Sequence, residues 1–259
     1  MSGALAGRVV LVTRPAGLSR RLVTLLRAQG GETVLLPAIE IVPPEGRAKL
    51  DAAIDHLEGF DIVVFVSPTA VEKANSAVRA RRDWPTRLKY AAVGSATARA
   101  LREIGVADVL APQGRGDTEA LAALPELADI TGKRMLIFRG QGGREALRET
   151  LVGRGAQVEY AECYRRERPR AEVGPLVARW SRGRIDAVSV TSAEGLENLF
   201  AMLGAAGTAG PALLRTTPVF VPHPRVGEAA RSLGVQHVIV TAAGDEALAE
   251  ALAAFFAKV

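Results

Sequence analysis

Gly7-Arg8-Val9-Val10-Leu11-Val12-Thr13-Arg14-Pro15-Ala16-Gly17 reads as an apolar strand, a short turn and the approach to a helix. At an offset of 125 the chain writes the pattern again, as Gly132-Lys133-Arg134-Met135-Leu136-Ile137-Phe138-Arg139-Gly140-Gln141-Gly142. Leu22, Leu26 and Gly30 fall on Leu147, Leu151 and Gly155, and Asp61, Val63, Ser67 and Glu72 on Asp186, Val188, Ser192 and Glu197. A small insertion then moves the offset to 129, where Ala100, Arg102, Gly105 and Val106 meet Ala229, Arg231, Gly234 and Val235. This period is far longer than the roughly 20–50 residues of a solenoid unit. It predicts a duplicated domain. Two similar domains in one chain imply a cleft between them, where a ligand is expected.

Outward from that stretch, short β-branched runs alternate with amphipathic helical patterns. Strands are expected over Val9–Thr13, Thr33–Leu36, Ile62–Val66, Tyr90–Val93, Asp108–Leu110, Met135–Phe138, Gln157–Tyr160, Ala187–Val190, Val219–Val221 and His237–Val240. Helices are expected over Leu18–Gln29, Ser95–Ile104, Glu145–Arg154, Glu194–Leu203 and Arg225–Leu233, with Leu22, Leu25 and Leu26 sharing one face of the first. Gly30, Gly105, Gly155 and Gly234 suit the left-handed position that closes a helix. Strands that are apolar without strict alternation belong to sheets covered by helices on both faces. The fold class is α/β with two similar parallel sheets.

Two segments break the rhythm. Pro37–Pro44 and Glu162–Pro169 are extended, end in proline and occupy equivalent places in the two halves. They read as strand-like linkers that could pair antiparallel with each other. Each domain would then mix parts of both halves; two contiguous halves is the alternative that sequence leaves open.

The length of 259 residues suits two domains. A hydrophobic share of 48% and a charged share of 24% are those of an ordinary soluble protein. No apolar run reaches the roughly 18 residues of a membrane helix, and no signal peptide is evident at the N-terminus. With Cys163 as the one cysteine, an intrachain disulfide is impossible and the cytoplasm is the expected location. The net charge of +5 fits an anionic ligand. Arginines such as Arg79, Arg81, Arg82, Arg99 and Arg102 read as solvated helix faces. With only 5% aromatic residues and no basic stripe, nucleic acid is not an expected partner.

In open parallel sheets, ligands bind beyond the carboxyl ends of strands. There the chain places Thr13 and Arg14, mirrored by Arg139, Gly140, Gln141 and Gly142. Ser67 and Thr69 are mirrored by Thr191 and Ser192, and Gly94, Ser95 and Thr97 by His223 and Arg225. Small and hydroxylated residues opening helices present N–H and O–H donors to an anion at positive helix ends. At any one site the plainer reading is a helix N-cap. Arg14 and Arg139 could each grip a carboxylate bidentately or tie down a loop. No dinucleotide fingerprint, P-loop, nucleophile elbow or metal-ligand spacing is completed; His56, His223 and His237 are scattered. Cys163 has no evident base. An enzyme built this way works by positioning and electrostatics, without metal or cofactor.

The Thr13-Arg14-Pro15 opening, Phe65-Val66-Ser67-Pro68-Thr69-Ala70-Val71, Ala92-Val93-Gly94-Ser95-Ala96-Thr97-Ala98, Tyr160-Ala161-Glu162-Cys163-Tyr164-Arg165 and Thr191-Ser192-Ala193-Glu194-Gly195 together resemble the uroporphyrinogen-III synthase family, in the family's order. The resemblance implies two flavodoxin-like domains, 1–36 plus 170–259 and 45–157, joined by a two-stranded linker of 37–44 and 158–169. It implies a monomer that cyclises hydroxymethylbilane with inversion of the last pyrrole ring, giving uroporphyrinogen III and water. Tyr164 matches the tyrosine the family is thought to use to assist departure of the hydroxyl, and Thr97 a threonine at the cleft. His223 and Arg225 stand where the family often has glycine and a small residue. Two rivals remain: a binding or regulatory module for an anionic small molecule, and a glycosyltransferase-like pair of nucleotide-binding domains.

Overall fold

The structure is a computed structural model that describes residues 3–114, 116–143 and 145–258. The chain forms two compact units. One comprises everything up to Glu40 together with everything from Glu167 onward, and the other is Ile41–Arg166.

In chain order, β1 (Val9–Val12), α1 (Arg20–Ala28) and β2 (Glu32–Leu35) open the first unit. The second follows with β3 (Glu40–Val42), α2 (Ala48–Asp55), β4 (Ile62–Phe65), α3 (Pro68–Arg79), β5 (Lys89–Ala92), α4 (Ser95–Glu103), β6 (Val109–Leu110), α5 (Thr118–Ala122), β7 (Arg134–Gly140), α6 (Ala146–Gly153) and β8 (Gln157–Glu167). The chain returns to the first unit through α7 (Gly174–Ser181), β9 (Ala187–Ser189), α8 (Ala193–Ala205), α9 (Ala209–Thr216), β10 (Val219–Val221), α10 (Pro224–Ser232), β11 (Val238–Val240) and α11 (Asp245–Phe256). The expected elements lie within a residue or two of these bounds, except that the strand expected over Gln157–Tyr160 runs on to Glu167.

The five-stranded sheet has the order β11-β10-β9-β1-β2 and the six-stranded sheet β3-β8-β7-β4-β5-β6. Every strand pair with a described register is parallel. Counted from β8, the second sheet repeats the order of the first counted from β2. Each sheet therefore takes strands from both copies of the sequence repeat.

Alternate residues of each strand go to opposite faces. Val63, Phe65, Leu136 and Phe138 pack with α2, α3 and α4, whereas Ile62, Val64, Met135 and Ile137 pack with α5 and α6. In the other unit Leu11 and Val188 face α8 and α10, while Val10 and Val12 face α1 and α11. Double coverage explains why these strands read as unbroken apolar runs. Gly30 and its repeat mate Gly155 follow α1 and α6 with φ of 84° and 82°, a conformation that disfavours any side chain.

The repeated aspartates share one structural task. Asp186 accepts from the amide of Val9 at 2.8 Å, and Asp61 from the amide of Arg134 at 2.9 Å, so each pins the start of the neighbouring strand. That backbone bond, followed by Lys133, holds the Asp61 carboxyl below its ordinary range. A lowered folded value means stabilisation that is present above about pH 4, where the unfolded carboxylate is ionised, and lost as pH falls through the folded value. Asp61→Asn is therefore expected to make unfolding midpoints below about pH 4 less pH-dependent. Unchanged acid sensitivity in urea titrations would remove Asp61 from that linkage.

Candidate active site

In both sheets the expected site residues lie at the carboxyl ends of parallel strands. In the first unit Thr13 follows β1, Thr191 and Ser192 follow β9, and His223 follows β10. Thr13 is buried, and its hydroxyl donates to the Ser189 carbonyl at 2.8 Å, tying β1 to β9. The Ser192 hydroxyl accepts from the Gly195 amide at 3.0 Å as the N-cap of α8. His223 occupies the N-cap position of α10 without a side-chain capping bond, and Arg225 in its first turn is exposed. Arg14 forms an ion pair with Asp245 at the start of α11 and reaches the Leu18 carbonyl at 3.5 Å.

In the second unit Ser67 mirrors Ser192, accepting from the Ala70 amide at 3.1 Å to cap α3. Thr69 lies in the first turn of that helix and is half-buried, while Ser95, the first residue of α4, is exposed. Gly94 precedes α4, and a Cβ there would stand 3.2 Å from the Gly116 Cα, so two backbones approach closely at this strand end. Thr97 is only 3% exposed, buried like its repeat mate Val226.

The strand β7 ends in a tethered turn. Arg139, 5% exposed, donates through Nη1 to Glu145 Oε1 at 3.0 Å, through Nε to the Gly140 carbonyl at 3.2 Å, and through Nη2 to the Gly142 carbonyl. Its guanidinium carbon lies 4.4 Å from the Tyr160 ring centroid. Tyr160 in turn donates to Glu145 Oε2 at 3.0 Å. This bond first, and then Arg139, keeps the Glu145 carboxyl below its usual range; burial, then Glu145, pushes the Tyr160 phenol up. These contacts tie Arg139 to the turn in which Gln141 and Gly142 sit.

Tyr164 belongs to the sheet. It lies on β8 opposite Gly140, just beyond a register shift at Arg139/Gly140, and is 2% exposed. Its carbonyl accepts from the Gln141 amide at 2.7 Å, and its hydroxyl oxygen lies 3.2 Å from Ser67 Oγ. A Cβ on Gly140 would fall 2.7 Å from the ring. The ends of β4 and β7 and the body of β8 thus meet in one cluster of Ser67, Gly140, Gln141 and Tyr164. Each of these residues is expected from the sequence, but their partnership is not, because no local spacing signals a contact across 97 positions. Glu145 and Tyr160, which hold the turn, carry no repeat signal, and sequence reasoning misses them.

Next to this cluster, burial pushes the Cys163 thiol up to about 12. It packs 3.4 Å from the Arg139 carbonyl and 3.7 Å from that of Ala70. A thiol so seldom ionised is inert at neutral pH. Iodoacetamide is expected to leave the native protein unmodified and to label it fully once unfolded, by intact mass. Rapid labelling of the native protein would contradict that burial.

A separate cavity of about 1160 Å³ opens beside α2 and β8, lined by His56, Phe60, Arg134, Gln141 and Tyr160 among others. It includes none of Ser67, Thr97 or Tyr164. Several of its charges are matched locally, Arg134 with Glu159 at 3.1 Å and Asp55 with Arg81 at 2.6 Å. Hydroxyl and amide donors at the strand ends offer the better chemistry. Among the described residues, no group of three or more His, Cys, Asp or Glu could hold a metal ion, and no helix is long and apolar enough to cross a membrane.

Comparison with known proteins places this arrangement in context. The family description "Uroporphyrinogen-III synthase HemD" matches residues 20–250. The uroporphyrinogen-III synthase of Salmonella typhimurium is 39% identical over 74% of this chain and 79% of that protein. That of Escherichia coli is 37% identical over 75% of this chain and 79% of its own length. In fold, the chain is similar to a mutant uroporphyrinogen III synthase from Thermus thermophilus, with a TM-score of 0.59 at 23% identity, covering 95% of this chain and 97% of that one. It is likewise similar to uroporphyrinogen-III synthetase from Helicobacter pylori, with a TM-score of 0.60 at 13% identity over 96% and 99% of the two chains.

Proposed function

This chain belongs to the uroporphyrinogen-III synthase family, and we propose that it closes hydroxymethylbilane into uroporphyrinogen III, inverting the terminal pyrrole ring and releasing water. The observation that carries this reading is a family match running from residue 20 to residue 250, through every segment that supplies a carboxyl-end loop except the first.

The substrate is a flexible chain of four pyrroles bearing acetates and propionates. Its closure needs no electron transfer, which accords with a cofactor-independent cyclising lyase. Departure of the terminal hydroxyl, assisted by a proton, leaves an electrophilic azafulvene. The far ring attacks it through its already substituted carbon, giving a spiro intermediate that fragments and rejoins the other way round. The proton lost in restoring aromaticity balances the one that left with the hydroxyl as water. Unassisted closure gives the non-inverted isomer, so the protein's contribution is conformational. It holds a polyanion in a geometry that water does not favour.

In this reading the acidic side chains engage N–H and O–H donors at the strand ends of both units. These are Thr13, Arg14, Thr191, Ser192, His223 and Arg225 in one unit, and Ser67, Thr69, Gly94, Ser95, Thr97 and the turn Gly140-Gln141-Gly142 shaped by Arg139 in the other. Helix amino ends favour bound carboxylates. Residues 1–36 with 170–259 form one domain and 45–157 the other, with 37–44 and 158–169 as strand-like connectors; a compact unit built from both ends of the chain and another from its middle support a division of this kind. The protein acts as a cytoplasmic monomer on a small molecule, with no nucleic acid or membrane partner.

Tyr164 is the proton donor to the departing hydroxyl, since a phenol can donate and its oxygen faces the strand-end cluster. Tyr164→Phe is expected to slow turnover by about 10- to 100-fold without abolishing it. Wild-type turnover by this variant would remove Tyr164 from the reaction. The reading as a whole is tested by converting hydroxymethylbilane with the protein and resolving the isomers. Excess type III product supports an enzyme, whereas type I alone at the spontaneous rate would leave a module that merely binds an anion.

A further inference from the structure

The Ser67 hydroxyl has two neighbours. The amide of Ala70 donates to it at 3.1 Å, and the Tyr164 phenol oxygen lies 3.2 Å away. A serine hydroxyl carries one proton and two acceptor sites. With one acceptor site taken by Ala70, the Ser67 hydroxyl has a proton and one acceptor site left, so either hydroxyl of the pair can donate; with Ser67 as donor, its proton goes to the Tyr164 oxygen. In that arrangement the phenol keeps its own proton for another partner. Behind Ser67 stands the amino end of α3, a helix of twelve residues whose peptide dipoles favour negative charge at that end.

The ring has little freedom to leave this contact. It is 2% exposed, it lies against Gly140 so closely that even a methyl group there would strike it, and its backbone carbonyl is held by the Gln141 amide at 2.7 Å. Whatever charge develops on the phenol oxygen during proton donation is therefore met by the same donor every time.

We propose that Ser67 is a positioning residue for Tyr164: its hydroxyl fixes the phenol so that the Tyr164 proton is the one delivered, and donates to the oxygen as negative charge grows there. The substrate-binding role expected for Ser67 becomes secondary to this one. The proposal rests on the reading of Tyr164 as the proton donor. Because the interaction strengthens only as charge develops, it acts on kcat and leaves KM nearly alone.

The test is a double-mutant cycle on the full chain with hydroxymethylbilane, reading kcat, KM and the thermal midpoint of each protein. Ser67→Ala is expected to lower kcat about tenfold with KM within about twofold of wild type. In the Tyr164→Phe background the same change is expected to alter kcat by less than about twofold. Ser67→Thr, which retains a capping hydroxyl, is expected to recover most of the lost turnover. An equal kcat loss in both backgrounds, or a rise confined to KM, would overturn the proposal in favour of direct substrate contact. A kcat loss that Ser67→Thr fails to recover, accompanied by a lower thermal midpoint, would reduce Ser67 to its capping role. Wild-type turnover by Tyr164→Phe alone would instead defeat the underlying reading, and the proposal with it.

Discussion

Gly140→Ala is expected to leave about as little activity as Tyr164→Phe, with turnover reduced by up to about a hundredfold. The added methyl would sit 2.7 Å from Cε2 and Cζ of Tyr164 and 3.1 Å from its hydroxyl oxygen. Real Cβ atoms do not approach so closely, so the ring must move. Ser67 holds one side of it and the core the other, and Gln141 holds its backbone. Displacing it misaligns the hydroxyl by the order of 1 Å, a shift worth about 10² in rate when a reacting group is concerned. The same crowding is expected to destabilise the protein by about 1–3 kcal/mol. Gly153→Ala is the matched control, because a Cβ there meets nothing within 4 Å. It is expected to leave turnover within about twofold of wild type and to add slight helix stability. Purified variants compared by kcat and thermal midpoint decide the matter. A Gly140→Ala protein within tenfold of wild type would mean that the position of the ring is unimportant.

Phe138→Ala is expected to cost about 3–5 kcal/mol of stability, the largest effect of any substitution considered. Phe138 is fully buried and lies opposite Phe65 across β7 and β4, the two rings stacked at 5.1 Å with an interplanar angle of 16°. Trp84 meets Phe138 edge-on at 5.8 Å and Phe65 at 6.1 Å, and Tyr90 stacks on Phe65 at 6.5 Å. Trp84 is itself anchored through its indole N–H to Asn75 at 2.9 Å. Removing Phe138 leaves a cavity at the centre of this cluster and takes away geometry-dependent ring contacts as well. The chain has one tryptophan in each unit, Trp84 and Trp180. In a Trp180→Phe background, Trp84 fluorescence reports the second unit alone. A urea midpoint there equivalent to less than about 1 kcal/mol of destabilisation would show that the cluster is not central to that unit.

How much of this is legible in the sequence follows from the range over which each feature is determined. The alternation of strand and helix depends on near neighbours, and the apolar runs at Val9–Val12, Ile62–Phe65 and Met135–Phe138 announce their strands directly. The repeat implies that the two sheets share one order, and β1 between β9 and β2 does match β7 between β4 and β8, but the order itself comes from the structure. The stretch after Tyr160 reads as a strand-like connector, and its charged residues hide its tie to the sheet. In the structure it continues as strand, with Glu162 and Tyr164 still paired to β7. A sheet partner overrides local composition.

What the sequence determined by itself was the α/β class, the duplication, the family and the strand-end positions that carry the candidate site. Those depend on residue identity and short spacings, which persist whatever the chain does at long range. Only the tertiary structure decided that Arg139 bonds to its own turn, that Arg14 meets Asp245, and that Ser67, Gly140 and Tyr164 come together. Each of those encounters requires strands or helices to take their final neighbours. That choice is set by burying two faces of a sheet at once, a cooperative event that no local run of residues encodes.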